Sequence, residues 1–133
     1  MVIPPEVASE FGRLASGMPR FAGLTLPEGI RQQSATTVPA LLRSANGLDP
    51  SETAALALAV EIHADAVLLD ERRGREVALQ LRLQILGILG LLLQAKPAGF
   101  LPMVGPILDA LQRDAGFWIS GTLRRQVLKM AGE

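Results

Sequence analysis

The sequence has no cysteine. That excludes a disulfide framework and thiolate metal centres, and it suits a reducing compartment. It has one histidine, His63, so neither a zinc-ligand spacing nor a Ser/His/Asp set can be built. It has no net charge: 13 Lys and Arg balance 13 Asp and Glu. No global field therefore draws the chain to nucleic acid or acidic lipid, and any such binding must come from a local patch. It has no long apolar run. The greasiest stretch, 85–93, is interrupted by Gly87 and Gly90 and falls short of the roughly 20 residues that span a bilayer. Met1 is followed by Val2-Ile3-Pro4-Pro5, with neither the basic start nor the apolar segment of a signal peptide. The expectation is a cytoplasmic protein with no membrane partner. Internal repeats and low-complexity tracts are also lacking.

What is present is core-forming material. The 133 residues are 49% hydrophobic, with a mean hydropathy of +0.31, enough for one folded domain over 1–133. After Pro4-Pro5 a helix is expected through Glu6, Val7, Glu10, Phe11 and Leu14, since proline is tolerated in a first helical turn. Residues 18–37 are punctuated by Gly23, Pro27 and Gly29 and read as an irregular connection, with room for a short strand or turn near 21–26. A short helix over 38–44 ends at Asn46-Gly47. Asp49-Pro50-Ser51-Glu52 then carries an N-cap, a first-turn proline and the glutamate of a capping box. The helix that follows is apolar nearly all round and should be buried.

Ala66-Val67-Leu68-Leu69 is a short apolar run that stops at Asp70, the mark of a strand buried on both faces of a parallel sheet. A charged helix follows over 71–82, then a second strand over 83–86 and an apolar helix to Lys96. Val104, Ile107, Leu108 and Leu111 repeat at helical spacing, and Ser120 caps a last helix. Alternating strands and helices give an α/β domain, and in such domains sites gather beyond the carboxyl ends of the strands. Asp70 stands at one such end. Arg72, Arg73 and Arg75 read first as a solvated face balanced by Glu76, and second as phosphate contacts. Arg124, Arg125 and Lys129 read as complements to a helix C-terminus. His63 reads as structural, and Phe117 and Trp118 as core or interface.

The run Leu48 to Ala59, the segment Ala66-Val67-Leu68-Leu69-Asp70-Glu71-Arg72-Arg73, the pieces Gly87 to Leu92 and Ala95 to Leu101, and the closing Phe117 to Glu133 together resemble PIN-domain proteins. More closely, they are similar to the PIN-like branch related to VapC toxins. The resemblance covers 1–15 and 46–133. It implies a three-layer α/β/α fold with a short parallel sheet, and a metal-dependent ribonuclease that holds Mg²⁺ or Mn²⁺ with acids at the sheet's C-terminal edge. Oxygen ligands suit such hard cations. The resemblance carries the acid at the start of the central helix onto Glu52 and the acid after the strand onto Asp70. The second acid of that pair falls on Glu71 and the acid of the early helix on Glu10. Glu52 and Asp70 are then the catalytic candidates, and all four are metal candidates. Without it, Glu52 reads as a capping glutamate, Glu71 as a helix N-terminal charge and Glu10 as a solvated residue. The family's opening strand, with its aspartate, has no counterpart here, so an N-terminally incomplete fold is expected, with self-association or strand exchange to cover the exposed edges. RNA and an antitoxin-like protein are the implied partners. The competing expectation is a PIN-like interaction module without turnover, or a truncated gene product.

Overall fold

A computed structural model describes residues 1–133 and shows seven α-helices and four two-residue strands. The chain divides into two compact units, 1–86 and 87–133. In the first, strand β1 (Val2–Ile3) leads into helix α1 (Pro5–Gly17). A 3-10 turn at Pro19–Phe21 and strand β2 (Arg31–Gln32) follow. Then come helices α2 (Ala40–Ser44) and α3 (Pro50–Glu61), strand β3 (Val67–Leu68), helix α4 (Arg72–Gln80) and strand β4 (Ile85–Leu86).

All strand pairing is parallel, in two separate pairs. Val2 and Ile3 face Arg31 and Gln32, and Val67 and Leu68 face Ile85 and Leu86. The α/β class and its parallel pairing agree with the reading of the sequence, but the pairing is split between two short ribbons. β2 lies in the stretch read as irregular. Both its residues are exposed, so no apolar pattern announces it, and only its hydrogen bonds to β1 define it.

The second pair is delivered by two similar helix ends. α3 is followed by His63 at φ 49° and α4 by Arg82 at φ 59°. Beyond each, an amide reaches back five residues, from Ala64 to the Ala59 carbonyl and from Leu83 to the Ala78 carbonyl, both at 3.0 Å. A left-handed residue with this long return bond stops a helix and reverses the chain in few residues. His63 is therefore structural, as expected, through its backbone conformation. The core of this unit gathers Leu42, Leu56, Ala57, Val67, Leu69, Val77 and Ala78. α3 does supply a buried stretch from Leu56 to Ala59, while Ile62 at its end is exposed. Glu61 ties the polar connection to α3: its Oε2 accepts from the Thr36 and Thr37 amides at 2.7 and 3.1 Å. The bond from the Thr36 hydroxyl, then those from the two amides, hold its carboxyl below the usual range.

The second unit holds α5 (Ile88–Ala95), α6 (Gly105–Asp114) and α7 (Gly121–Met130). Leu92, Val104, Leu108 and Val127 form its core. Ser120 caps α7 as its position suggested, its Oγ accepting from the Leu123 amide at 3.2 Å. Trp118 is not core: it is 83% exposed. No helix is long and apolar enough to cross a membrane.

Candidate functional site

The Asp49–Glu52 pattern forms the capping box it predicts. Asp49 Oδ1 accepts from the Glu52 amide at 2.7 Å, and Glu52 Oε2 accepts from the Asp49 amide at 3.1 Å. Such a cap contributes about 1 kcal/mol and fixes one carboxylate oxygen of Glu52. The other, Oε1, is buried and has no hydrogen-bond partner. An orphaned polar atom costs roughly 1–3 kcal/mol, and more when charged. A cap does not require this, because one oxygen suffices for the box.

Asp70 follows β3. The ladder runs one residue past the strand, with the Leu69 amide donating to the Leu86 carbonyl at 3.1 Å. Asp70 thus stands just beyond the carboxyl end of a paired strand, where α/β sheets place their sites. Glu71 is the N-cap residue of α4, but its side chain makes no capping bond. Glu10 is an exposed residue of α1. All four predicted acids line a single cleft of about 230 Å³, together with Asp49, Ser51, Val7, Ala55, Leu68 and Leu69. They come from three helices and a strand end, separated by up to 61 positions (71 − 10) in sequence.

The four do not close into a compact set. No three acidic or histidine side chains are gathered closely enough to hold one ion between them. Carboxylates repel one another when no cation stands among them, and Glu10, Asp70 and Glu71 are all exposed to solvent. The donors present are all carboxylate oxygens, the type that Mg²⁺ and Mn²⁺ prefer. The orphaned Glu52 oxygen is the second observation that fits a bound cation. The residues therefore fit such an ion in kind.

The sequence profile of a PIN-domain family matches residues 1–133. The chain belongs to the PIN-domain family. No curated protein and no solved structure matches it. The membership supports a nuclease-type superfamily, whose members generally use divalent metals, and the one profile spans both compact units.

The acid-lined cleft of this PIN-domain chain also depends on Gly74, to which the sequence alone assigns no role. A Cβ on Gly74 would lie 2.6 Å from Glu52 Oε1 and 3.5 Å from the Leu69 side chain. Gly74 is buried in α4, so helix α4 passes against Glu52 only because that position lacks a side chain. Its signal is a glycine inside a charged helix, where alanine would be favoured by roughly 0.5–1 kcal/mol. Arg72 and Arg73 take the first of their two readings. They pair with Glu76 at 3.0 and 3.2 Å, and Arg73 Nε also donates to the Asn46 carbonyl at 2.8 Å. These arginines hold the Glu76 carboxyl below its ordinary range.

Proposed function

We propose that this PIN-domain chain is a divalent-metal-dependent endoribonuclease of the toxin type, working as one domain in the cytoplasm and hydrolysing RNA phosphodiester bonds. Glu52 and Asp70 are its central acids, and Glu10 and Glu71 complete the set that holds Mg²⁺ or Mn²⁺. The observation that carries this reading is the buried, unpartnered Oε1 of Glu52 in a cleft lined by three further family-pattern acids. A bound divalent ion would supply phosphate clamping, an activated water and stabilisation of the leaving oxygen. The chain's own contribution is orientation. The Asp49 amide pins one oxygen of Glu52, Gly74 leaves room for the other, and the β3–β4 ladder fixes where Asp70 begins. An antitoxin-like protein is the expected regulatory partner.

The test is cleavage of a mixed RNA substrate with Mn²⁺ by this chain and by Asp70→Asn. Metal-dependent cutting that falls at least a hundredfold in the variant supports the reading; an effect of this size is typical for loss of a residue that acts directly on the reacting group. Equal cutting by both removes Asp70 from the site, and no cutting by either removes the nuclease reading.

A second reading is favoured by one observation: the strands form two separate parallel pairs, so β1 and β3 each keep an unpaired edge. A PIN-like module that accepts a strand, including one from a second copy of itself, would use those edges. A strictly monomeric chain in size-exclusion chromatography with light scattering would count against it.

A further inference from the structure

Beside the acid cleft lies a second cavity of about 540 Å³, which shares Glu10, Asp49 and Ser51 with it. Three common wall residues make the two one continuous groove, running from the end of β3 past the start of α3 and along α1. Six carboxylates line it: Glu6, Glu10, Asp49, Glu52, Asp70 and Glu71. One cationic side chain lines it, that of Arg13.

A groove so charged repels an RNA backbone. A divalent ion at Glu52 and Asp70 would relieve that repulsion only locally, since exposed charges are screened within about 8–10 Å. The stretch along α1 therefore needs its own cation. Arg13 is three residues beyond Glu10, a little under one helical turn and about 4.5 Å of axial rise along α1. Arg72, Arg73, Arg113 and Arg124 are engaged in ion pairs; the Arg13 guanidinium, like those of Arg31, Arg75 and Arg82, has no hydrogen bond or ion pair, and of these four it alone lines the groove. Its full set of donors is available in a planar fork that matches phosphate.

We infer that Arg13 is a substrate-positioning residue, holding an RNA phosphate on the α1 side of the cleft while the acids act on a neighbouring one. This rests on the nuclease reading above and adds to it the direction in which the strand lies: away from β3, along α1.

The experiment is fluorescence anisotropy of a labelled 12-nucleotide single-stranded RNA of mixed sequence. It is run over a salt series with Ca²⁺, which is also an oxygen-seeking cation. The chain is compared with Arg13→Ala, Arg13→Lys and Arg31→Ala. Arg31 is exposed on β2 and lines neither cavity. Arg13→Ala is expected to weaken binding about tenfold and to flatten the log–log salt slope by roughly 0.7, the value of one single-strand phosphate contact. Arg13→Lys keeps the slope, and Arg31→Ala resembles the unaltered chain. Equal affinity and slope for the chain and Arg13→Ala, or equal losses in Arg13→Ala and Arg31→Ala, would overturn the assignment while leaving the nuclease reading intact. Failure of the unaltered chain to bind RNA would overturn both.

Discussion

Two glutamates accept from backbone amides at helix N-termini in this protein, one in each compact unit, and they are satisfied very differently. Glu133 has both side-chain oxygens engaged. Its Oε1 accepts from the Val104 amide at 2.7 Å and from Lys96 Nζ at 2.8 Å, and its Oε2 accepts from the Gly105 amide at 2.9 Å. Lys96 reaches on to the Ala131 carbonyl at 2.7 Å. α6 has no local side-chain cap, so a residue 28 positions away supplies one and ties the end of the chain to α5 and α6. Glu52 caps its own helix with one oxygen and leaves the other buried and unpartnered. A carboxylate kept for structure saturates its hydrogen bonds, because each unmet one costs stability. An unpartnered oxygen, as in Glu52, is what a carboxylate that takes a ligand would show. The difference between Glu133 and Glu52 is the physical reason to look for function in the first unit.

The largest effect on stability should come from breaking the saturated glutamate. Glu133→Ala leaves the Val104 and Gly105 amides and Lys96 without their acceptor, and the thermal midpoint should fall by several degrees. Its pH dependence gives an independent check. The bond from Lys96, then those from the two amides, lower the Glu133 pKa from 4.5 to about 2. A group whose pKa is depressed on folding stabilises the native state above its unfolded value, and this contribution is lost as protons bind. The unaltered chain should therefore lose stability between about pH 4.5 and pH 2 more steeply than Glu133→Gln, as followed by circular dichroism. Parallel acid transitions would show that the latch does not form in solution.

Next in size is Gly74→Ala. The added methyl would meet Glu52 Oε1 at 2.6 Å, closer than real contacts allow, and overpacking of this kind costs about 1–3 kcal/mol. If the conflict is with Glu52 alone, Glu52→Ala should remove most of the added cost, and a double-mutant cycle in urea will show strong coupling. Additive effects would mean that Leu69, at 3.5 Å, or the helix backbone bears the strain instead.

How much of this was legible beforehand follows from the kind of signal each feature carries. The Asp49–Glu52 cap, the start of α3 at Pro50 and the Ser120 cap depend on neighbours three residues apart, and sequence records such spacings directly. The strand before Asp70 was legible from its apolar run, though only Val67 and Leu68 form it and it is not buried on both faces, since Leu68 is exposed in a pair of only two strands. β2 was not, because Arg31 and Gln32 pair through backbone groups that every residue possesses. The convergence of Glu10, Glu52, Asp70 and Glu71 on one cleft was expected from the family resemblance alone, since no local pattern joins α1 to the end of β3. The family pattern includes Lys96 and Glu133, yet their pairing across 37 positions could not be read from their types. Gly74 left a trace only as a glycine where helix propensity disfavours one.

The smallest expected effect is the most informative about Glu52. In Glu52→Gln the side-chain carbonyl can still accept from the Asp49 amide, so the capping box survives. The orphaned oxygen becomes an amide nitrogen, and no charge is left buried in the cleft. Stability should change by about 0.5 kcal/mol or less, and a gain is as compatible with this account as a small loss, since sites held for function are often relieved by neutral substitutions. Mn²⁺ binding, followed by isothermal titration calorimetry, should nonetheless weaken at least tenfold, because an amide is a poorer ligand than a carboxylate for a hard cation. Glu133→Gln should show the reverse: a clear loss of stability with Mn²⁺ binding unchanged. If Glu52→Gln instead destabilises the chain as much as Glu133→Gln and binds Mn²⁺ no less tightly, both glutamates are structural and the contrast between the two units has no functional meaning.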